Sequence, residues 1–124
     1  MGRLNRFPHL TQQREFDRVY KGADKVWHTP WFVLFFRKSS ECGVAFVAGK
    51  KVGNAVKRNR AKRRLRALFA DRISHYRPGA YILVAKPPIV EADYGELETA
   101  WTKALERSGA LRKPRNSFRQ VRPS

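Results

Sequence analysis

The sequence predicts an α/β protein, a two-layer sandwich in which about three helices pack on a small mixed sheet. Three observations carry that prediction. Short aromatic and β-branched runs, "WFVLFF", "VAFVA" and "YILVAK", have the length and composition of strands. Around them lie segments whose apolar residues recur at i, i+3 and i+4, the helical period. The order helix, strands, helix, strand, helix is the alternation that layers helices against a sheet.

Each element has its own warrant. After Pro8, Thr11 is placed to cap a first helix in which Phe16, Val19 and Tyr20 share one stripe. "KGADKV" reads as a turn. In "WFVLFFRK", Trp31, Val33 and Phe35 point one way and Phe32, Leu34 and Phe36 the other, so both faces of this strand need cover or a use. "SSECG" turns the chain and "VAFVA" resumes a strand, which predicts an antiparallel hairpin between the two. Gly53 and Asn54 end that strand and start a second helix, with Asn54 as N-cap. Wound at about 100° per residue, this helix carries Ala61, Leu65, Leu68 and Phe69 on one side and Asn59, Arg60, Arg63 and Arg64 on the other. "RPGA" supplies a turn, and Pro87 and Pro88 end the strand "YILVAK". In the last helix Asp93 and Glu96 have capping-box spacing, Leu97, Trp101, Ala104 and Leu105 form the buried stripe, and Gly109 ends the run. Residues 1–109 read as one domain, and residues 110–124 as a basic tail too poor in apolar side chains to fold. No internal repeat is apparent.

With 124 residues the chain is long enough to bury roughly two-thirds of the surface its unfolded form exposes. One cysteine, Cys42, cannot pair internally, which points to a reducing compartment, and the residues around it form no Cys/His constellation. The charged start lacks the apolar run of a signal peptide, and no stretch has membrane-spanning length, so the expected location is the cytoplasm. Charge is the outstanding feature: 27 basic against 10 acidic residues give +17 and a pI near 11.1. Such an imbalance opposes compaction and favours polyanionic partners, nucleic acid before anionic membrane. Five of the ten acids lie within residues 91–106, whereas residues 50–70 contain none.

Residues 50–69, "KKVGNAVKRNRAKRRLRALF", hold nine Lys or Arg. Unit charges about 7 Å apart repel by roughly 0.6 kcal/mol even in water, and like-charge i,i+4 pairs such as Arg60/Arg64 and Lys62/Arg66 add a few tenths each. A solvated helix face is the bland explanation of a charge run, but solvated faces mix signs and this one does not. Lys50 and Lys51 precede a helix N-terminus, a ready anion site. Arg60, Arg63 and Arg64 continue the line with forks suited to phosphate, and Asn59 adds amide hydrogen bonds for phosphate, ribose or base. Phe16 and Tyr20 with Val33 and Phe35 could line a groove in which bases of a single strand stack. From periodicity alone, core packing outweighs that groove.

Catalysis finds no support in the residues. His9, His28 and His75 stand in separate contexts without ligand spacing, the acids near residue 95 suit a helix start, and no P-loop, dinucleotide or zinc pattern occurs.

"KKVGNAVKRNRAKRRLR" closely resembles the signature of the bacterial ribonuclease P protein subunit: a lysine pair, a Gly-Asn helix start, then Arg-Asn-Arg and further basic residues in this order. "LTQQREFDRVYKGA", "WFVLFF" and "YILVAK" resemble that family's first helix and strands, while the last helix fits in position only. The resemblance implies a protein that assists a catalytic RNA in removing the 5′ leader from precursor tRNA. It also implies Mg²⁺ held chiefly by the RNA with none bound tightly by the protein, a monomeric subunit inactive alone, no membrane partner, and a left-handed βαβ crossover, against the general rule. Carried over residue by residue, contact with the RNA subunit falls on Asn54, Lys57, Arg58, Asn59, Arg60, Lys62, Arg63 and Arg66. The leader cleft falls on Phe16, Tyr20, Val33, Phe35, Lys50, Lys51 and Lys86. Two departures touch the cleft: Gly49 stands where relatives often have serine or a basic residue, and Pro87 where a second basic residue is common. A ribosomal or general nucleic-acid-binding protein is the rival that charge favours and the ordered motif does not. A membrane-active cationic protein is disfavoured by the small apolar side of the basic helix.

Overall fold

A computed structural model of the chain describes residues 7–72 and 75–110. Its elements in order are helix α1 (Gln13–Gly22), strands β1 (Lys25–His28), β2 (Phe32–Lys38) and β3 (Gly43–Val47), helix α2 (Ala55–Asp71), strand β4 (Gly79–Ala85) and helix α3 (Tyr94–Ser108). Two 3-10 turns, Lys50–Val52 and Pro87–Val90, lead out of β3 and β4. The strands form one mixed sheet in the order β1-β2-β4-β3, in which β2 pairs antiparallel with β1 and β4, and β3 runs parallel to β4.

That order corrects the predicted hairpin. β3 does not pair with β2, because β4 lies between them. Both remaining edges of β2 are taken, by β1 (Val26 opposite Phe35) and by β4 (Phe35 opposite Ile82). β3 and β4 instead become the two parallel strands of a βαβ unit with α2 as the connection. Its outer edge is met by residues 8–10: Leu10 N donates to Val44 O (2.9 Å) and Val44 N to Pro8 O (3.0 Å), which blunts an otherwise open edge.

β1 occupies part of the stretch read as a turn. The turn proper ends at Asp24, whose backbone N–H bonds Phe36 O (2.8 Å) and whose carboxylate accepts from Lys38 N (2.7 Å), so the next residues are laid against β2. Thr29, buried, then closes the β1–β2 hairpin: its Oγ accepts from Trp31 N (3.1 Å) and Phe32 N (2.9 Å), with Pro30 in the second turn position. The cap of α1 is one residue later than predicted. Gln12 is the N-cap, and Glu15 Oε1 accepts from the N–H groups of Gln12 (3.0 Å) and Thr11 (2.9 Å), bonds that hold its carboxyl below the usual carboxylate range. The other caps are as read: Asn54 accepts from Lys57 N (3.0 Å), Asp93 from Glu96 N (3.2 Å), and Gly109 takes the left-handed conformation at φ 74°.

The core lies between the sheet and helices α2 and α3. Phe32, Leu34, Phe36, Val44, Tyr81 and Leu83 face Ala61, Leu65, Leu68 and Phe69 of α2 and Leu97, Trp101, Ala104 and Leu105 of α3, all buried. Phe69 is its hub, stacked on Tyr76 with ring centroids 4.3 Å apart and edge-on to Phe7, Phe46 and Tyr81. Phe7, which no periodicity marks, is fully buried there. So is Ala110, which the sequence placed in the tail: its carbonyl accepts from Arg77 N (2.8 Å), so the fold continues one residue past Gly109. The rest of that tail, residues 111–124, lies outside the described residues.

Two polar groups inside this core are matched to each other. Tyr76 Oη donates to Phe69 O (2.6 Å) and accepts from Trp101 Nε1 (3.2 Å). Replacing Tyr76 by Phe leaves both partners buried with a bond fewer, and the expected loss is about 1–3 kcal/mol. Urea unfolding followed by tryptophan fluorescence checks it; an unchanged midpoint would show that neither bond contributes.

Candidate nucleic-acid interface

Two adjoining surfaces carry the predicted residues, and the βαβ connection explains why they adjoin. Because β3 and β4 are parallel, their C-terminal ends lie at the same end of the sheet. Lys50 and Lys51, exposed on the 3-10 turn after β3 and not on a strand end as the sequence suggested, therefore neighbour Lys86, which follows β4. The N-terminus of α2, capped by Asn54, starts at this same end.

On α2 the division of faces matches the helical projection. Ala61, Leu65, Leu68 and Phe69 are buried, while Lys57, Asn59, Arg60, Arg63 and Arg66 are exposed and Arg58, Lys62 and Arg64 half-buried. From its first turn to Arg66 the helix carries no Asp or Glu; its one acid, Asp71, is its last residue. Three of the arginines are nonetheless engaged by backbone carbonyls: Arg58 by Gly53 O (3.2 Å), Arg60 Nε by Val90 O (2.8 Å), and Arg64 Nη1 by Ile89 O (3.1 Å) and Ala92 O (2.7 Å). Arg66 lies over the ring of Phe46 at 5.4 Å. The sequence did not distinguish Arg60 and Arg64 from the other cations, because their carbonyl partners belong to a segment 25–30 residues away along the chain.

The second surface is the sheet face turned away from the core. Helix α1 covers part of it: Val19, Ala45, Ala80 and Ile82 are buried beneath, with Phe16, Phe35, Val47 and Val84 partly buried around them. Beyond α1 the face is open. Val33 and Phe35 of β2 pair with Val84 and Ile82 of β4, and Val47 of β3 with Val84, so these side chains share one floor. Tyr20 stands at its edge, 39 % exposed, with its ring edge-on to Phe35 at 4.8 Å and Phe16 next to it at 6.4 Å. Lys86 is in extended conformation, held by its N–H to Trp31 O (2.9 Å), so alternation puts its side chain on this face at the end nearest Lys50 and Lys51. The result is an apolar, aromatic-walled cleft with a cationic end. Of the residues assigned to the leader cleft, Phe16, Tyr20, Val33 and Phe35 lie on this face, Val33 buried in it, and Lys50, Lys51 and Lys86 follow the strands at its one end. Val47 and Val84 belong to its floor and were missed; once β3 is paired with β4, alternation along "VAFVA" and "YILVAK" marks both.

A separate groove of about 630 Å³ lies on the other side, between Trp27, Trp31 and the first turns of α3, and it includes none of the predicted binding residues. Among the described residues no three His, Cys, Asp or Glu side chains converge in a metal-sized cluster, and no helix is long and apolar enough to cross a membrane. Cys42 is a free, partly exposed thiol.

The family profile described as Ribonuclease P matches residues 4–109. A ribonuclease P protein component from Nitratiruptor sp. is 47% identical over 98 residues, spanning 79% of this chain and 89% of the relative. One from Coprothermobacter proteolyticus is 32% identical over 103 residues, spanning 83% and 82%. Among solved structures, the RNase P protein of Staphylococcus aureus superposes with a TM-score of 0.73 at 22% identity over 84% of this chain and 97% of that one. That of Thermotoga maritima gives 0.68 at 23% identity over 80% and 96%. At these identities the structural likeness speaks for the fold.

Burial in the cleft pushes the Tyr20 phenol above its ordinary value of about 10. The expected titration therefore has its midpoint above that of a free tyrosine, and the stabilisation linked to the neutral ring is complete below about pH 10 and lost as pH rises through the folded-state value. Ultraviolet difference titration of the wild type against Tyr20→Phe measures it. A midpoint at or below the ordinary value would mean that the ring is not packed on Phe35.

Proposed function

The chain belongs to the ribonuclease P protein family, and from that premise we propose that its cationic helix α2 lies along the RNA subunit while the cleft beside α1 grips the 5′ leader of precursor tRNA. As a ribonuclease P protein component it is a subunit of the endoribonuclease that matures the 5′ end of tRNA, and the RNA subunit is its partner. What the protein adds, in this reading, is positive charge and a hold on substrate. Asn54, Lys57, Arg58, Asn59, Arg60, Lys62, Arg63 and Arg66 screen the repulsion between two polyphosphates as they come together. Phe16, Tyr20, Val33 and Phe35 offer the leader's bases a surface to stack on, and Lys50, Lys51 and Lys86 meet its phosphates. Mg²⁺ for the hydrolysis is assigned to the RNA. A single protein per RNA and a cytoplasmic site of action complete the proposal.

One observation carries it: the apolar cleft and the acid-free ridge share an end, where Lys50, Lys51, Lys86 and the N-terminus of α2 come together. A strand leaving the cleft thus passes directly onto the surface that holds the RNA. Reconstitution with a catalytic RNA and precursor tRNA at low Mg²⁺ separates the two surfaces. Arg63→Ala is expected to weaken binding to the RNA subunit and to lower the salt slope by about one. Phe16→Ala is expected to leave that binding intact and to cost about 1–3 kcal/mol of affinity for leader-bearing substrate alone. Equal losses on substrates with and without a leader would sink the cleft assignment.

A ridge of unpaired cations also binds small anions. Sulfate or phosphate, at ionic strength matched with chloride, is expected to raise the melting temperature of the free protein, because a ligand of the folded state alone stabilises it. Superimposable melts across the anion series would contradict the ridge as an anion site.

A further inference from the structure

Arg64 interrupts the ridge. It projects from the polar side of α2 yet is half-buried, its Nη1 donates to two carbonyls, Ile89 O (3.1 Å) and Ala92 O (2.7 Å), and its guanidinium carbon lies 5.9 Å from the Tyr94 ring centroid. One turn earlier Arg60 Nε takes the carbonyl between them, Val90 O (2.8 Å). Three carbonyls within residues 89–92 are thus held by two arginines of one helix. This segment is anchored by the buried Ile89 and Val90, but its backbone has no sheet partner: Pro87 and Pro88 bring no N–H, and the ladder of β4 ends at Ala85 with one further bond at Lys86. Besides the bonds of its own 3-10 turn, Ile89 N donates to Lys86 O (3.0 Å), which joins the strap directly to Lys86.

We infer that Arg64 is a positioning residue: with Arg60 it clamps residues 87–92 to α2, and through that strap it sets Lys86 at the cationic end of the cleft, while taking no phosphate itself. The part concerning Lys86 rests on the leader reading above. The chemistry is specific to a guanidinium, whose N–H groups are fixed in one plane; two carbonyls of a turning backbone can be met from one Nη, and an ammonium on a flexible stem lacks that fork. The clamp also gives the helix a reason to carry Arg60 and Arg64 one turn apart despite their repulsion, since the strap's carbonyl dipoles lie against both. Arg60 spends only Nε on the strap and keeps both terminal nitrogens for phosphate, so it serves both surfaces.

Two measurements on the reconstituted holoenzyme test this. The first is the salt dependence of binding to the RNA subunit: Arg64→Met, which keeps the stem, is expected to leave the slope of log K against log salt unchanged, whereas Arg63→Ala lowers it by about one. The second is the ratio of affinities for tRNA with and without a leader. Arg64→Met is expected to lower it about fivefold, Lys86→Ala to a similar extent, and the double variant no further, as for residues acting as one unit. Arg64→Lys, which keeps the charge and is the fallback should the Met variant fold poorly, is expected to preserve the slope without restoring the ratio. A slope lowered by about one in Arg64→Met, or a ratio restored by Lys, would overturn the inference by making Arg64 a phosphate ligand. An unchanged ratio in Arg64→Met would overturn it by disconnecting the strap from the cleft. A lowered ratio in Arg64→Met beside an unchanged one in Lys86→Ala would uphold the clamp and remove Lys86 from the leader site.

Discussion

The anchoring of α2 by its apolar stripe is the interaction on which the rest depends. A helix with this many like charges is not held by its own electrostatics, which oppose it. It is held because Ala61, Leu65, Leu68 and Phe69 sink completely into the core, and because Phe69 enters a cluster of rings, Phe7, Phe46, Tyr76, Tyr81 and Trp101, that come from every layer of the molecule. Each buried aromatic removes large apolar area from water, a stabilisation of the order of 1.5–3 kcal/mol per side chain that outweighs tenths of a kcal/mol per repelling pair. The cationic ridge is what the other side of that helix is left to display.

From this anchoring follows the placing of the two surfaces proposed to bind RNA. α2 is the connection between two adjacent parallel strands, so both strand exits and the start of the helix sit together. The exits carry lysines and the helix start carries an asparagine cap and free N–H groups, all favourable to anions. The sheet, sandwiched on one face only by α2 and α3, receives α1 on part of the other. What α1 leaves uncovered is the cleft. A strand whose two faces are both apolar is thus used twice: Phe32, Leu34 and Phe36 build the core, and Val33 and Phe35 floor the cleft.

Helix α2 also shows that a charge run is not uniform in role. Arg63 and Arg66 are exposed, whereas Arg58, Arg60 and Arg64 give hydrogen bonds to backbone carbonyls. Charge-assisted bonds of this kind are among the stronger polar contacts available to a protein, and those of Arg60 and Arg64 reach a proline-led segment that has no sheet partner. Carbonyl-bound and outward-facing arginines are interleaved residue by residue along the same helix.

By itself the sequence determined the three helices and the strands β2, β3 and β4, the caps at Asn54, Asp93 and Gly109, the buried stripes of α2 and α3, and the sign of the partner's charge. Those properties are local: they depend on periodicity, on capping chemistry within a few residues, and on the summed charge, none of which requires knowing what lies across the fold. Tertiary structure alone decided that β4 separates β2 from β3, that Phe7 and Ala110 belong to the core, that "KVWH" is an edge strand, and that Arg60 and Arg64 are spent partly on residues 89–92. Each of these is settled by partners remote in sequence, competing for the same sheet edge, the same cavity or the same guanidinium, and that competition leaves no mark in the local pattern of residues.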